Sequence, residues 1–174
     1  RPDRGEVVIA GQTLSNRSDD ELAVLRNGKV GFVFQFNHQL REFSALENVM
    51  MPMRIGGMEP APARSRAQEL LAKVGLSARM HHRPAELSGG EQQRTAVARA
   101  LAVDPALFLA DEPSGNLDHA NAEMLHDLLG TLARDMEIAM VVVTHNRSLA
   151  ARADRTLRLE DGVLQETDMR GVVA

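Results

Sequence analysis

Cysteine is absent from this chain of 174 residues, and so are tryptophan and tyrosine. Without cysteine there are no disulfides and no thiolate metal sites, which suits a reducing cytoplasm. Long hydrophobic runs are lacking as well. The best, "IAMVVV" at 138–143, falls far short of the roughly 18 apolar residues of a membrane-spanning helix. No signal-peptide pattern opens the sequence, so a membrane role is expected only through a partner. Nor is there a basic excess: 20 Lys plus Arg stand against 24 Asp plus Glu, dispersed along the chain, for a net charge of −4. That balance gives no electrostatic footprint for nucleic acid. A methionine start is also missing. "RPDRGEVVIAG" reads as a turn and then a strand already under way, the expectation for a chain that has lost its beginning.

What is present is ordinary globular material. Hydrophobic residues make up 44% and charged residues 25%, enough to bury a core in one domain, with or without a subdomain. Short apolar or β-branched runs bounded by turn residues predict strands at 6–11, 29–36, 106–113 and 139–145, and a hairpin over 155–166 with "EDG" as its turn. Helices are predicted at 45–54, 63–74, 89–103, 118–135 and 146–153. Ser88 with Glu91 three residues on has the capping-box pattern. Asp118 precedes Leu125, Leu128, Leu129 and Leu132 at helical spacing. Strands therefore lie toward both ends of the chain and helices fill the middle, which predicts an α/β core with a helical insertion. "ALFLA" and "AMVVV" are apolar on both faces, as a parallel sheet covered by helices requires.

Candidate chemistry gathers at the strand ends, where open α/β sheets bind ligands. Asp111 and Glu112 end an apolar run just before Pro113. Asp111 is placed to hold Mg²⁺, directly or through water. Glu112 is placed to orient or deprotonate an attacking water. The plainer alternative is a core strand whose last two residues meet solvent. His145, after "AMVVVT", can donate to a γ-phosphate or a developing oxyanion, or simply cap the next helix. Gln35 closes "GFVFQ", and its amide can accept from metal-bound water and donate to phosphate, or be merely solvated. Ser88, Gly89 and Gly90 open a helix with bare backbone N–H groups, a ready anion site or only a well-capped helix. Convergence of three polar groups at three strand ends is the stronger signal.

His81 and His82 read as exposed loop rather than as metal ligands. Met50, Met51, Met53 and Met58 fall within nine residues. They fit core filler or an adaptable socket for a partner's helix equally well.

In this order the residues resemble the ATPase subunits of ABC transporters, over essentially the whole chain. Gln35 matches the Q-loop, "LSGGEQQR" (87–94) the signature, "LFLADE" (107–112) the Walker B strand, "SGNLD" (114–118) the D-loop and His145 the switch histidine. "LRNGKVGFVFQFNHQLREFSALENVMMPM" and "HHRPAELSGGE" are similar to the lipoprotein-releasing subgroup of Gram-negative bacteria. Macrolide-exporter and cell-division ATPases are near relatives of that subgroup. The resemblance implies the P-loop NTPase-like fold, with 1–39 and 103–174 forming the nucleotide-binding core and 40–102 a helical subdomain. It also implies ATP and Mg²⁺ as ligands. Glu112 and His145 would be catalytic; Gln35, Ser88, Gly89, Gly90, Glu91 and Asp118 would bind nucleotide; Asp111 and Gln35 would hold the metal.

Two copies would face head to tail, so that the Ser88 helix acts on its twin's nucleotide. Two integral membrane subunits would be driven from the cytoplasmic face of the inner membrane. One departure stands out: no G-x-x-x-x-G-K-[ST] loop occurs here. "NGKV" (27–30) holds the single Gly-Lys pair, followed by valine where a hydroxyl is needed. The expectation is a transporter ATPase without its first strands and P-loop, inactive alone. The alternatives are a free-standing ABC ATPase, a truncated, catalytically dead docking module, and the ATPase of a related exporter or cell-division complex.

Overall fold

The computed structural model describes residues 2–15, 17–36 and 38–167. Its centre is a three-stranded parallel sheet, β3 (Val30–Val33), β4 (Leu107–Asp111) and β5 (Ala139–Val143), in that spatial order. Register runs Val30 to Leu107 to Ala139 and Phe32 to Leu109 to Val141, so the three strand tips end side by side. A small antiparallel ribbon, β1 (Val8–Ile9) with β2 (Gln12–Thr13), comes first in sequence. The chain closes with the hairpin β6 (Thr156–Glu160) and β7 (Val163–Thr167). Its turn residues Asp161 and Gly162 both take positive φ. That is the type I′ geometry matching the twist of two strands.

Helices supply the connections. Between β1–β2 and β3 runs α1 (Asp19–Lys29), and between β3 and β4 run α2 (Ala45–Ile55), α3 (Pro60–Lys73) and α4 (Gly89–Ala100). Between β4 and β5 runs α5 (His119–Asp135), and one turn, α6 (Arg147–Ala150), follows β5. Starts are written in the sequence. Ser18, Ser44 and Ser88 each cap a helix with a reciprocal glutamate three residues on, at Glu21, Glu47 and Glu91. Pro60 stands in the first turn of α3, where its missing N–H costs nothing.

One core joins these elements. Leu46, Val49 and Met53 of α2 pack with Leu70 and Leu71 of α3, Val97 of α4 and Leu125 and Leu129 of α5, over Val33, Phe108 and Ala110 of the sheet. Helix α4 presses so closely on β3 that a Cβ on Gly31 would lie 2.3 Å from the Ala100 carbonyl oxygen. Glycine is the residue that permits this approach.

Two expectations need correcting. The predicted strand at 29–36 begins one residue late, because Lys29 ends α1, a helix that the strand and helix assignments above omit. Its one buried side chain, Leu25, leaves almost no periodic signal. The sheet is also not covered on both faces. Phe32 (37% exposed), Phe34 (43%), Val141 (52%) and Val143 (60%) stand on an open face, while their alternates fill the core. The four methionines divide: Met53 is buried, Met50 packs on the core and Met51 is half-buried, whereas Met58 is exposed.

Candidate functional site at the strand tips

Glu112 is one residue past β4, with φ of +43°. Left-handed backbone is uncommon for a side chain of this size. Here it turns the carboxylate across to the neighbouring strand tip while Glu112 N–H still donates to the Val143 carbonyl (2.9 Å). Oε1 accepts from the His145 backbone N–H (2.8 Å) and lies 2.7 Å from His145 Nδ1; Oε2 accepts from the Thr144 hydroxyl (3.0 Å). Partial burial pushes the Glu112 carboxyl up. The hydrogen bonds from the His145 ring and backbone and from Thr144 outweigh it and hold the group below its ordinary value. Glu112 is therefore an anion at neutral pH, as a base must be. With Nδ1 facing that carboxylate, the other ring nitrogen of His145, 83% exposed as a side chain, is left to meet a ligand. Asp111 is exposed at the same tip.

Gln35 stands at the tip of β3 and is held by the turn that follows Glu112. Its Nε2 donates to Asn116 Oδ1 (3.3 Å), and Asn116 Nδ2 donates back to the Gln35 carbonyl (3.1 Å). Gly115 makes room, since a Cβ there would come 2.9 Å from Gln35 Nε2. Helix α4 fixes the backbone around Gln35 from the other side. Buried Gln93 donates to the Phe34 carbonyl (3.3 Å), Gln39 donates to the Gln92 carbonyl (2.6 Å), and Arg99 donates to the His38 carbonyl (3.0 Å). Buried Asn48 donates to the carbonyls of Leu40, Phe43 and Ser44, closing the loop that leads to α2.

The α4 start lies next to this assembly. Ser88 and Gly89 are exposed, and Gly90 is buried where a Cβ would lie 2.5 Å from Asn121 Oδ1. Glu91 points back into the cap, accepting from Ser88 N–H (2.8 Å), and pairs with Arg79 (3.1 Å). Those partners, led by the Ser88 backbone bond, hold its carboxyl below the ordinary range. Asp118 caps α5, accepting from Asn121 N–H (3.0 Å) and from the Asn121 amide (2.6 Å). A cleft of about 510 Å³ opens between Gln35, Gln39, Gly89, Gln92, Asn116 and Leu117.

The structure thus brings Glu112 and His145 into contact and ties Gln35 to the turn just after Glu112. It sets Ser88, Gly89 and Gly90 beside the α5 start that Asp118 caps, and seats Glu91 within the α4 cap. His81 is exposed and His82 meets Arg79, and no group of metal-ligating residues is assembled among those described. Thr144, Asn116 and Asn121 join the assembly as residues that the sequence alone does not point to. Thr144 and Asn116 flank or lie within quoted motifs, but small polar residues beside a motif carry no signal of their own.

Exposed Asp111, anionic Glu112 and the outward nitrogen of His145 stand at adjacent strand tips, and Gln35 is tied through Asn116 to the turn after Glu112; these donors suit one side of a magnesium nucleotide. The loop amides and lysine that would cradle the β- and γ-phosphates are not part of the sequence.

Comparison with known proteins identifies the family. Residues 1–115 match the ABC transporter family. The lipoprotein-releasing system ATP-binding protein LolD of Chromohalobacter salexigens is 52% identical over 166 residues, 95% of this chain and 70% of that protein. LolD of Desulfotalea psychrophila is 49% identical over 166 residues, 95% of this chain and 74% of that protein. A solved dimeric ATP-binding cassette in a post-hydrolysis state, bound to ADP and Pi, superposes with a TM-score of 0.85 at 39% identity, covering 98% of this chain and 76% of that one. By these likenesses the chain belongs to the ATPase subunits of the ABC transporter family.

Proposed function

We propose that this protein is the ATP-hydrolysing subunit of a transporter that releases lipoproteins from the bacterial inner membrane. The observation that carries the hydrolytic part is the 2.7 Å contact between Glu112 and His145 at adjacent strand tips. The names of the LolD relatives support the cargo class.

Glu112, held anionic, accepts a proton from the attacking water. His145, oriented through Nδ1 by that carboxylate, offers its far nitrogen to the γ-phosphate; it donates there when the ring is protonated. Gln35 orients water, and Asp111 with Gln35 would hold Mg²⁺, which would supply charge neutralisation at the phosphate oxygens. Ser88, Gly89 and Gly90 act in trans, offering a hydroxyl and bare helix-terminal N–H groups to the nucleotide of a second copy. Glu91 and Asp118 fix the helix starts on either side of that contact.

In this reading 1–39 with 103–174 is the nucleotide-binding core, and 40–102 is the helical subdomain that carries motion to two membrane subunits at the cytoplasmic face. Exposed Ile55 and Met58 at the end of α2 give that subdomain an adaptable contact surface. Among the described residues no helix is long and apolar enough to cross a membrane, so attachment is assigned to the partners.

The full-length protein, expressed with the two membrane subunits, is expected to co-purify as two copies per pair and to release acylated lipoproteins from inner-membrane vesicles when ATP is added. Recovery free of membrane subunits, together with ATP turnover indifferent to them, would contradict the transporter assignment.

A further inference from the structure

His126 lies in α5, and nothing in the proposed chemistry uses it. It is 1% exposed, among the most buried polar side chains described. Its Nε2 lies 2.9 Å from the hydroxyl of Ser114, itself 6% exposed, two residues after Glu112. Its Nδ1 faces Glu123 Oε1 at 3.3 Å, a close electrostatic contact without a hydrogen bond of good geometry. The same Glu123 oxygen accepts from the Ser148 hydroxyl (3.0 Å) in α6. The other Glu123 oxygen pairs with Arg152 (2.5 Å), which also pairs with Asp127 (2.5 Å).

A polar line therefore runs from the turn after Glu112, through the interior of α5, to the helix that begins two residues after His145. It joins, from behind, the two segments whose side chains meet in front. An ordinary core position would hold an apolar residue, since a buried imidazole with one weakly satisfied nitrogen is costly.

The tautomer follows from the neighbours. Burial pushes the His126 ring toward its neutral form, against the pull of Glu123. A carboxylate beside Nδ1 demands the proton there. Nε2 then carries a lone pair, and the Ser114 hydroxyl donates to it. This fixes the direction of the Ser114 hydroxyl and, through it, the start of the turn that holds Gln35 by Asn116.

We propose that His126 is a positioning residue for ATP hydrolysis, clamping the turn after Glu112 to the helix after His145 so that the two side chains stay in register. It touches no substrate. The proposal rests on the reading in which Glu112 and His145 act on nucleotide.

The test is steady-state ATP hydrolysis by the full-length protein with its membrane subunits, comparing H126F, H126Q, S114A and E112Q. H126F and S114A are each expected to lower kcat about tenfold, with KM for ATP within about twofold of the parent. H126Q is expected to recover to within about threefold of the parent, because its amide oxygen accepts from Ser114 and its nitrogen donates toward Glu123. Should H126F fail to fold, S114A alone decides, since it removes one oxygen and leaves the ring in place. Parental kcat in S114A, or H126Q no better than H126F, overturns the clamp. A rise in KM at unchanged kcat overturns it too. If E112Q also turned over at the parental rate, the underlying reading would fall instead.

Discussion

Replacing Glu112 with glutamine in the full-length protein is expected to lower ATP turnover by about 10²–10³-fold while leaving ATP affinity nearly unchanged. The size follows from what general-base catalysis supplies when a carboxylate is correctly placed, about 10²–10⁴-fold. Glutamine keeps the length and one oxygen, so the backbone N–H of His145 retains an acceptor where Glu112 Oε1 now stands. What is lost is the negative charge that receives a proton and orients the His145 ring. A mutation that removes an interaction made only in the transition state lowers kcat and leaves binding intact. Rapid-quench turnover, with equilibrium binding of a fluorescent ATP analogue, reads both quantities. Turnover at the native rate would remove Glu112 from the chemistry.

The second large effect concerns the 174 residues by themselves. Titrated with Mg-ATP, this chain is expected to show no binding below millimolar concentration and no hydrolysis. A helix N-terminus such as that of α4 contributes about 0.3–1 kcal/mol per charge. Micromolar affinity requires about −8 kcal/mol. Nothing else in the sequence makes up that difference, because no loop amides, lysine or adjacent hydroxyl of the Gly-Lys-Ser kind are present. Isothermal calorimetry decides the point, and micromolar binding would show that the strand tips alone suffice. The open face bearing Phe32, Phe34, Val141 and Val143 adds a practical expectation. Exposed apolar sheet surface promotes association, so dilute, cold conditions are needed.

Much of this organisation could be read from residue order. Polar residues at the ends of apolar runs mark Gln35, Glu112 and His145, because a sheet strand gives up its apolar character where its tip meets solvent. Ser88 with Glu91 marked the start of α4, since a capping box is a local pattern needing no tertiary context. Ser18 with Glu21 carries the same pattern and opens α1, yet it is easily passed over. With Leu25 alone buried, that helix lacks the apolar stripe that usually accompanies a cap.

Other features could not be read because they depend on the fold. The positive φ of Glu112 shows only in the fold, where its carboxylate meets Thr144 and His145 while its N–H still donates to the Val143 carbonyl. The Gln35–Asn116 pair spans 81 positions. Gly90 looks like a helix-start glycine, but its lack of a side chain is explained by Asn121 across the α4–α5 contact. His126 sits among leucines in sequence, and only packing reveals that it faces Ser114 rather than solvent.

In the proposed mechanism the tips near Gln35, Glu112 and His145 surround one γ-phosphate, closed by Ser88 of a second copy. A structure of the full-length E112Q protein with Mg-ATP tests it most directly. The expected result is a dimer with Gln35 and His145 of one protomer and Ser88 of its partner within hydrogen-bonding distance of the same γ-phosphate. A nucleotide held wholly within one protomer, with Ser88 facing solvent, would contradict it.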